Sequence, residues 1–385
     1  MNKDVLLVSF SAFFADLGYQ AALVIFPVFL VLTLGAPVSY FGIANAIAFG
    51  IGSFFGYVGG WMADKFSDRK VAIVGNSLIP LISLMGLASS PVTAVALFSG
   101  GWWARNFRTP SRRSMLVEAT TAKTRGQVFG FLHLLDIGGG MLSVVFVLVF
   151  IYFGLSYQKI LLLTVLPLII STALLFPTSE SGRQVKKVVA AVKTATKKVR
   201  ISGSTYKGIL AATALYGFSS YSLGFPILTI AKSSSPVLGI ASYGVYLGVS
   251  AITGYVIGTI WKKDQVKHLS IFGYVLSGLG TLFLGVGYLV NSGVWFFYLA
   301  VAILGFGLGV IETLEPTLIS FIKSEKDIGK GMGALAAWRS FGIFFANLIM
   351  GILYVLNPFD SYMYATVVSV FAGILLLRMG KGFEV

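Results

Sequence analysis

The chain has 385 residues, 56% hydrophobic and 11% charged, with a formal charge of +15 and a mean hydropathy of +0.87. Soluble domains carry about twice that charged fraction, so the length is counted in membrane spans of about 20 residues rather than in soluble domains. With no cysteine and two histidines, His133 and His268, the composition excludes disulfides, thiol catalysis and a histidine-rich metal centre, and no cofactor is expected.

Apolar segments fall at 4–33, 40–63, 71–89, 92–117, 127–153, 158–176, 205–231, 236–261, 268–290, 294–322, 331–356 and 360–379. They are too long and too uniformly apolar for barrel strands, which run about 10 residues and alternate in polarity. The fold class they predict is an all-α integral membrane protein of 12 transmembrane helices. The first segment follows Lys3 without the short apolar region and small-residue cleavage site of a signal peptide.

Polar residues interrupt these segments at particular depths. Asp16 lies about 18 Å into the first, at 1.5 Å per residue. Gly52, Gly56 and Gly60 recur every four residues along the second, as Gly254 and Gly258 do on the eighth, a spacing that lets helices approach closely. The fourth ends in WWARNFRTPSRR (102–113), with Arg105 about 20 Å from its outer end, Arg108 one turn on, and Arg112 and Arg113 at its exit. Asp136 lies about 14 Å into the fifth, with His133 one turn before it. Glu312 and Glu315 fall in the tenth and Arg339 in the eleventh.

A charge in hydrocarbon costs at least about 2.5 kcal/mol unless it is partnered. Arg105 or Arg108 is therefore expected as the counter-ion of Asp16, Asp136 or both. His133 is placed to bond Asp136, and Arg339 with Glu312 is a second, less aligned candidate pair. Such a pair works in one of two ways. Once solute or solvent access separates it, desolvation of the carboxylate favours the neutral form and gives a route to proton coupling. Left intact, it fixes helix packing without adding net stability. Ionisable groups inside a membrane default to function.

With the N-terminus taken as cytoplasmic, every lysine and arginine in a connecting segment except Lys159 and Lys232 falls on the cytoplasmic side. That asymmetry places both termini inside a cell membrane and accounts for the basic balance without nucleic acid. Between 177 and 204, Val185, Val188, Val189, Val192 and Val199 follow helical spacing opposite a lysine face. The pattern predicts an amphipathic helix on an anionic inner leaflet.

The chain also repeats. Phe26, Pro27 and Pro37 recur 199 residues later as Phe225, Pro226 and Pro236; Trp61 recurs at Trp261 and Pro110 at Pro316, at offsets of 200 and 206. The expected domains are a six-helix bundle at 1–176, a basic linker at 177–204 and a second six-helix bundle at 205–385, a parallel-repeat plan found in transporters.

The stretch GGWMADKFSDRK (59–70) resembles the loop between the second and third spans of the major facilitator superfamily, through Gly60, Asp64, Lys65 and Arg69. Ser67 stands where glycine is usual and Asp68 where a basic residue is usual. FADLGYQAALVIFPVFL (14–30), RNFRTPSRRSMLVE (105–118) and RGQVFGFLHLLDIGG (125–139) resemble a branch of uncharacterised prokaryotic members, with Gln20 in place of glutamate. The resemblance implies a latch. Asp64 would meet Arg112 or Arg113 and the positive end of the helix starting near Gly331 while the cytoplasmic side is closed.

These readings predict a monomeric secondary active transporter that moves a small solute by alternating access, coupled to protons and directed outward. Uniport or proton-coupled import is the alternative. No G-x-x-x-x-G-K-[ST] motif is present for ATP-driven pumping. An intramembrane enzyme built on His133 and Asp136 would lack a metal set or a nucleophile–base pair. A non-transporting receptor would not need charges at mid-membrane depth.

Overall fold

The computed structural model describes residues 2–121, 124–179, 203–260, 264–322 and 328–379. Among them the helices are α1 (Lys3–Val28), α2 (Val38–Asn45), α3 (Ile51–Lys65), α4 (Asp68–Leu78), α5 (Pro91–Glu118), α6 (Arg125–Tyr152), α7 (Tyr157–Leu163), α8 (Val165–Ala173), α9 (Gly203–Gly217), α10 (Gly224–Ser233), α11 (Pro236–Ile260), α12 (Gln265–His268), α13 (Leu276–Leu289), α14 (Val294–Ile322), α15 (Ile328–Leu356) and α16 (Pro358–Met379). Wider or tighter helical turns at Phe29–Thr33, Ala46–Gly50, Ile79–Leu87 and Leu269–Val275 join several of these into longer rods.

Nine rods among the described residues are long and apolar enough to cross a membrane. Three of the twelve predicted segments fall outside that set, each for a visible reason. The fourth, α5, carries Arg105, Arg108, Arg112 and Arg113. The sixth is the shorter apolar helix Tyr157–Ala173. The seventh is divided into α9 and α10 by residues 218–223. That break keeps its backbone partnered: Tyr364 Oη donates to the Phe218 carbonyl at 3.0 Å, and Ser222 N donates to Asn347 Oδ1 at 3.0 Å. Backbone away from a regular helix is tolerated at membrane depth when it is satisfied in this way. The amphipathic helix predicted in the linker lies outside the described residues.

The chain forms two compact units. The first takes the described residues up to Leu30 and from Ile51 to 179; the second takes 31–50 and those from 203 onward. By contact, then, the start of the second predicted span groups with the second unit.

In the first unit α1 is the central rod, buried along most of its length. It runs antiparallel to α5: Asn2 Nδ2 donates to the Ala119 carbonyl at 3.4 Å, Tyr19 meets Trp102 edge-on, and Phe26 stacks on Phe98 with ring centroids 3.9 Å apart. It runs parallel to α6, where Phe10 meets Phe131 and Gly139 abuts Phe13 and Asp16. A Cβ at Gly139 would come within 3.1 Å of Asp16 Cβ, so the missing side chain brings α6 against the aspartate. Leu142, Val145 and Val149 lie exposed on α6, as expected of a face toward lipid.

In the second unit α15 packs on the segment 38–50 and on α9. Gly42 lies against α15, where a Cβ on it would come within 2.5 Å of the Asn347 carbonyl oxygen and 2.7 Å of Gly351 Cα. Tyr354 and Tyr362 converge on the Thr229 hydroxyl at 2.7 and 2.6 Å. These small-residue and hydroxyl contacts are how helices associate where apolar burial offers little preference between protein and lipid.

Candidate functional site

On α5, Arg105, Arg108 and Arg112 stand at i, i+3 and i+7, one face of the helix. That face meets α1 and α6, and it gathers five charged side chains within the first unit. Arg112 is the hub. Its Nη2 donates to Asp136 Oδ2 at 3.3 Å, and its Nη1 lies 4.0 Å from Asp16 Oδ2. Arg112 is 6% exposed and Asp16 5%. Asp136 is more open, with 28% of its side chain exposed, although its Oδ1 is buried and accepts no hydrogen bond. Tyr19 Oη donates to Asp16 Oδ1.

The counter-ion of both aspartates is thus Arg112, not Arg105 or Arg108 as the depths along the segments led us to expect. Arg105 lies over the rings of Tyr19 and Trp102, 5.3 and 5.1 Å from their centroids. It donates to Tyr19 Oη at 3.4 Å and Asn106 Oδ1 at 3.2 Å. Arg108 is 1% exposed, and its Nη1 donates to Asn76 Oδ1 at 2.7 Å. Asn76 in turn donates to Ser171 Oγ and Thr172 Oγ1, each at 2.9 Å, and Ser171 exchanges hydrogen bonds with Ser11. Arg108 therefore hangs from a neutral polar network that ties α4, α8 and α1 together.

The direction of helical side chains explains the shift. They lean toward the helix N-terminus. Because α5 runs opposite to α1 and α6, an arginine leans one way and the aspartates lean the other. The matching residue lies further along α5 than Cα depth alone suggests. Tyr19 and Asn76, neutral residues inside apolar helices, gave no sequence signal for their roles here.

His133 is exposed on α6, and the structure brings it no hydrogen bond with Asp136. The residues of the 59–70 loop divide. Asp64 and Lys65 are exposed, with Lys65 Nζ 4.0 Å from the Trp61 ring centroid. Gly60 faces Pro110 of α5, where a Cβ would lie 3.6 Å from Pro110 Cβ. Arg69 donates to the Phe176 carbonyl just past α8. Asp68, which stands out of the family pattern, is buried in the first turn of α4 and accepts from Ser114 Oγ on α5 at 2.7 Å. Arg113 is exposed; Arg112, its neighbour, is the one taken up by the aspartates.

The second unit holds a smaller cluster. Arg339 on α15 pairs with Glu315 on α14 through Nη2, and with Glu312 Oε1 through Nη1 at 3.3 Å. Glu315 is 2% exposed and accepts from Tyr274 Oη at 2.6 Å, while 61% of the Glu312 side chain is exposed. Tyr274 is held by stacking on Tyr216, with centroids 4.2 Å apart, and by the Thr213 hydroxyl at 3.2 Å.

A family model described as Major Facilitator Superfamily matches residues 8–268. An uncharacterized MFS-type transporter of Methanocaldococcus jannaschii is 23% identical over 98% of this chain and 95% of its own length. Among solved structures, a D-xylose–proton symporter superposes with a TM-score of 0.78 at 13% identity, over 99% of both chains. The peptide transporter POT in complex with sulfate does so at 0.74 and 13%, over 99% of this chain and 96% of that one. A bacterial homolog of the human lysosomal transporter Spinster follows at 0.66 and 13%, over 97% and 94%.

Proposed function

The chain belongs to the major facilitator superfamily, and from that premise we propose that it is a secondary active transporter coupling a small solute to proton movement through Asp16, Asp136 and Arg112. The superfamily makes it a multi-pass membrane transporter rather than an enzyme. The finer reading is our own. It has twelve spans in two six-span halves, both termini on the cytoplasmic side of the cell membrane, a linker lying on the anionic inner leaflet, and a monomeric working unit. Asp64 latches the cytoplasmic side through Arg113, since Arg112 is engaged elsewhere.

One observation carries the coupling: a single arginine bridges two intramembrane carboxylates drawn from different helices. Any motion of α5 against α1 or α6 must separate a charged pair, and a carboxylate left in a dry site takes a proton. Asp136 is the proton carrier, because its side chain is the more exposed of the two and its buried Oδ1 accepts no hydrogen bond. Outward transport, with the proton and the solute crossing in opposite directions, is the direction we assign. A second reading, in which both move together, is favoured by Arg112 itself: protonating its partners frees a cation that attracts an anionic solute. The D-xylose–proton symporter among the structural neighbours shares that logic of joint movement only by its name.

Proteoliposomes loaded with a pH-sensitive dye test this. A solute panel applied to the wild type is expected to drive proton movement, inward against outward solute for exchange and in the same direction for joint transport. Asp136→Asn is expected to lose proton movement and keep solute exchange. Proton movement that survives in Asp136→Asn overturns the coupling role.

A further inference from the structure

The first unit's cluster does not balance. Three guanidiniums, Arg105, Arg108 and Arg112, face two carboxylates, and Arg112 takes up both of these. Among the described residues no carboxylate lies within ion-pair distance of Arg105 or Arg108; their hydrogen-bond partners are the neutral Tyr19, Asn106 and Asn76. The Arg108 Nε is buried without any hydrogen-bond partner. An uncompensated guanidinium inside the membrane is expensive, and a buried donor without an acceptor adds to that cost. A structure that keeps one positive charge in excess at this point is complete only with an anion.

We infer that the transported solute is a small organic acid carrying one negative charge, and that Arg105, backed by the fixed charge of Arg108, receives its carboxylate. This rests on the transporter reading above and names the solute class of the same site.

Three features choose among anions. The excess is a single charge, so a monoanion neutralises the cluster, whereas a phosphate dianion would leave a new negative charge in the membrane. Arg105 is the half-buried member of the three, while Arg108 and Arg112 are closed over. A planar guanidinium pairs with a two-oxygen carboxylate through parallel hydrogen bonds. Arg105 is also steadied for the task, its guanidinium lying over two ring faces that cost little to leave exposed on one edge. Tyr19 connects the two halves of the cluster. Its hydroxyl donates to Asp16 and accepts from Arg105, so the anion subsite and the proton-bearing carboxylates share one hydrogen-bonded residue.

The test is equilibrium binding to the purified full chain in detergent, with no gradient, read as the shift of its thermal unfolding midpoint. The probes are acid and amide pairs of matched shape, acetate with acetamide, lactate with lactamide and benzoate with benzamide, at constant ionic strength. At least one acid is expected to raise the midpoint where its amide does not. Arg105→Gln should weaken that acid at least tenfold, the effect of removing a hydrogen bond between charged groups, and Arg105→Lys should recover part of the loss. Arg108→Gln should weaken it less, through the field alone. Amides that stabilise as well as acids, an Arg105→Gln protein that binds the acid unchanged, or no shift from any acid overturns the anion assignment. None of these outcomes touches proton coupling, which is read separately from proton movement in Asp136→Asn proteoliposomes.

Discussion

In the first unit Arg112 of α5 lies between Asp16 of α1 and Asp136 of α6; in the second, Arg339 of α15 lies between Glu312 and Glu315, both on α14. Each cluster adds a tyrosine hydroxyl on its more buried carboxylate, Tyr19 on Asp16 and Tyr274 on Glu315. On the proposed repeat α14 stands for α5, and Arg339 follows Asp136 by 203 residues, within the range of the other offsets. The signs are therefore exchanged: base on α5 and acid on α6 in one half, acid on α14 and base on α15 in the other. The geometry differs as well. The first arginine joins three helices, so no two of them can move without disturbing an ion pair. The second joins two, and its acids sit one turn apart on one helix, where each would repel the other without the arginine. The first cluster is a joint and the second a clamp.

The largest effect should come from taking the joint apart. Arg112→Gln leaves two carboxylates without a counter-ion, one of them buried. Breaking a buried pair from one side costs about 3–5 kcal/mol. Chemical unfolding of the detergent-solubilised protein is expected to show a loss of that size, mostly recovered by adding Asp16→Asn. A loss below about 1 kcal/mol, the worth of an exposed pair, would reduce the joint to a surface contact.

Next in size is the clamp. Arg339→Gln strands Glu315 and should cost about 3 kcal/mol, at the lower end of the same range because Glu312 can turn to water. In a double-mutant cycle with Glu315→Gln the two changes should couple strongly. Additive effects would mean that Glu315 is held by Tyr274 and burial, not by Arg339, and the likeness between the two clusters would end there.

Much of this architecture was legible because long apolar runs leave few alternatives to membrane helices. The run 294–322 coincides with Val294–Ile322, and 236–261 with Pro236–Ile260. The break at 218–223 was not legible, since its partners Asn347 and Tyr364 come from α15 and α16, far along the chain. At the site, the charged membership was readable and the pairing was not. The positive-inside rule groups Arg112 with the basic residues of the loop because it treats a residue near a segment end as outside the membrane. A long side chain leaning back along α5 places its guanidinium beside Asp16 and Asp136 all the same. Asp68 likewise departs from the loop motif in sequence, while its carboxylate is a buried acceptor for Ser114.

The smallest expected effect sharpens the distinction between joint and clamp most directly. Glu312 and Glu315 sit one turn apart and bond the same arginine, yet 61% of the Glu312 side chain is exposed while Glu315 is 2% exposed. Coulomb attraction at 3.3 Å is largely cancelled where water solvates one partner, and ordering a long side chain takes back part of what remains. Glu312→Gln should therefore change stability by no more than about 0.5 kcal/mol, and that difference should vanish in about 1 M salt, where the screening length falls to about 3 Å. Glu315→Gln should cost more at any salt concentration, because it removes the buried charge that pairs with Arg339 and weakens the acceptor of Tyr274. If the two substitutions prove equal, Glu312 is as enclosed in the working protein as Glu315. The second cluster would then hold its arginine between two buried acids, unlike the first, whose Asp136 keeps 28% of its side chain exposed, and the clamp would be the more closed of the two.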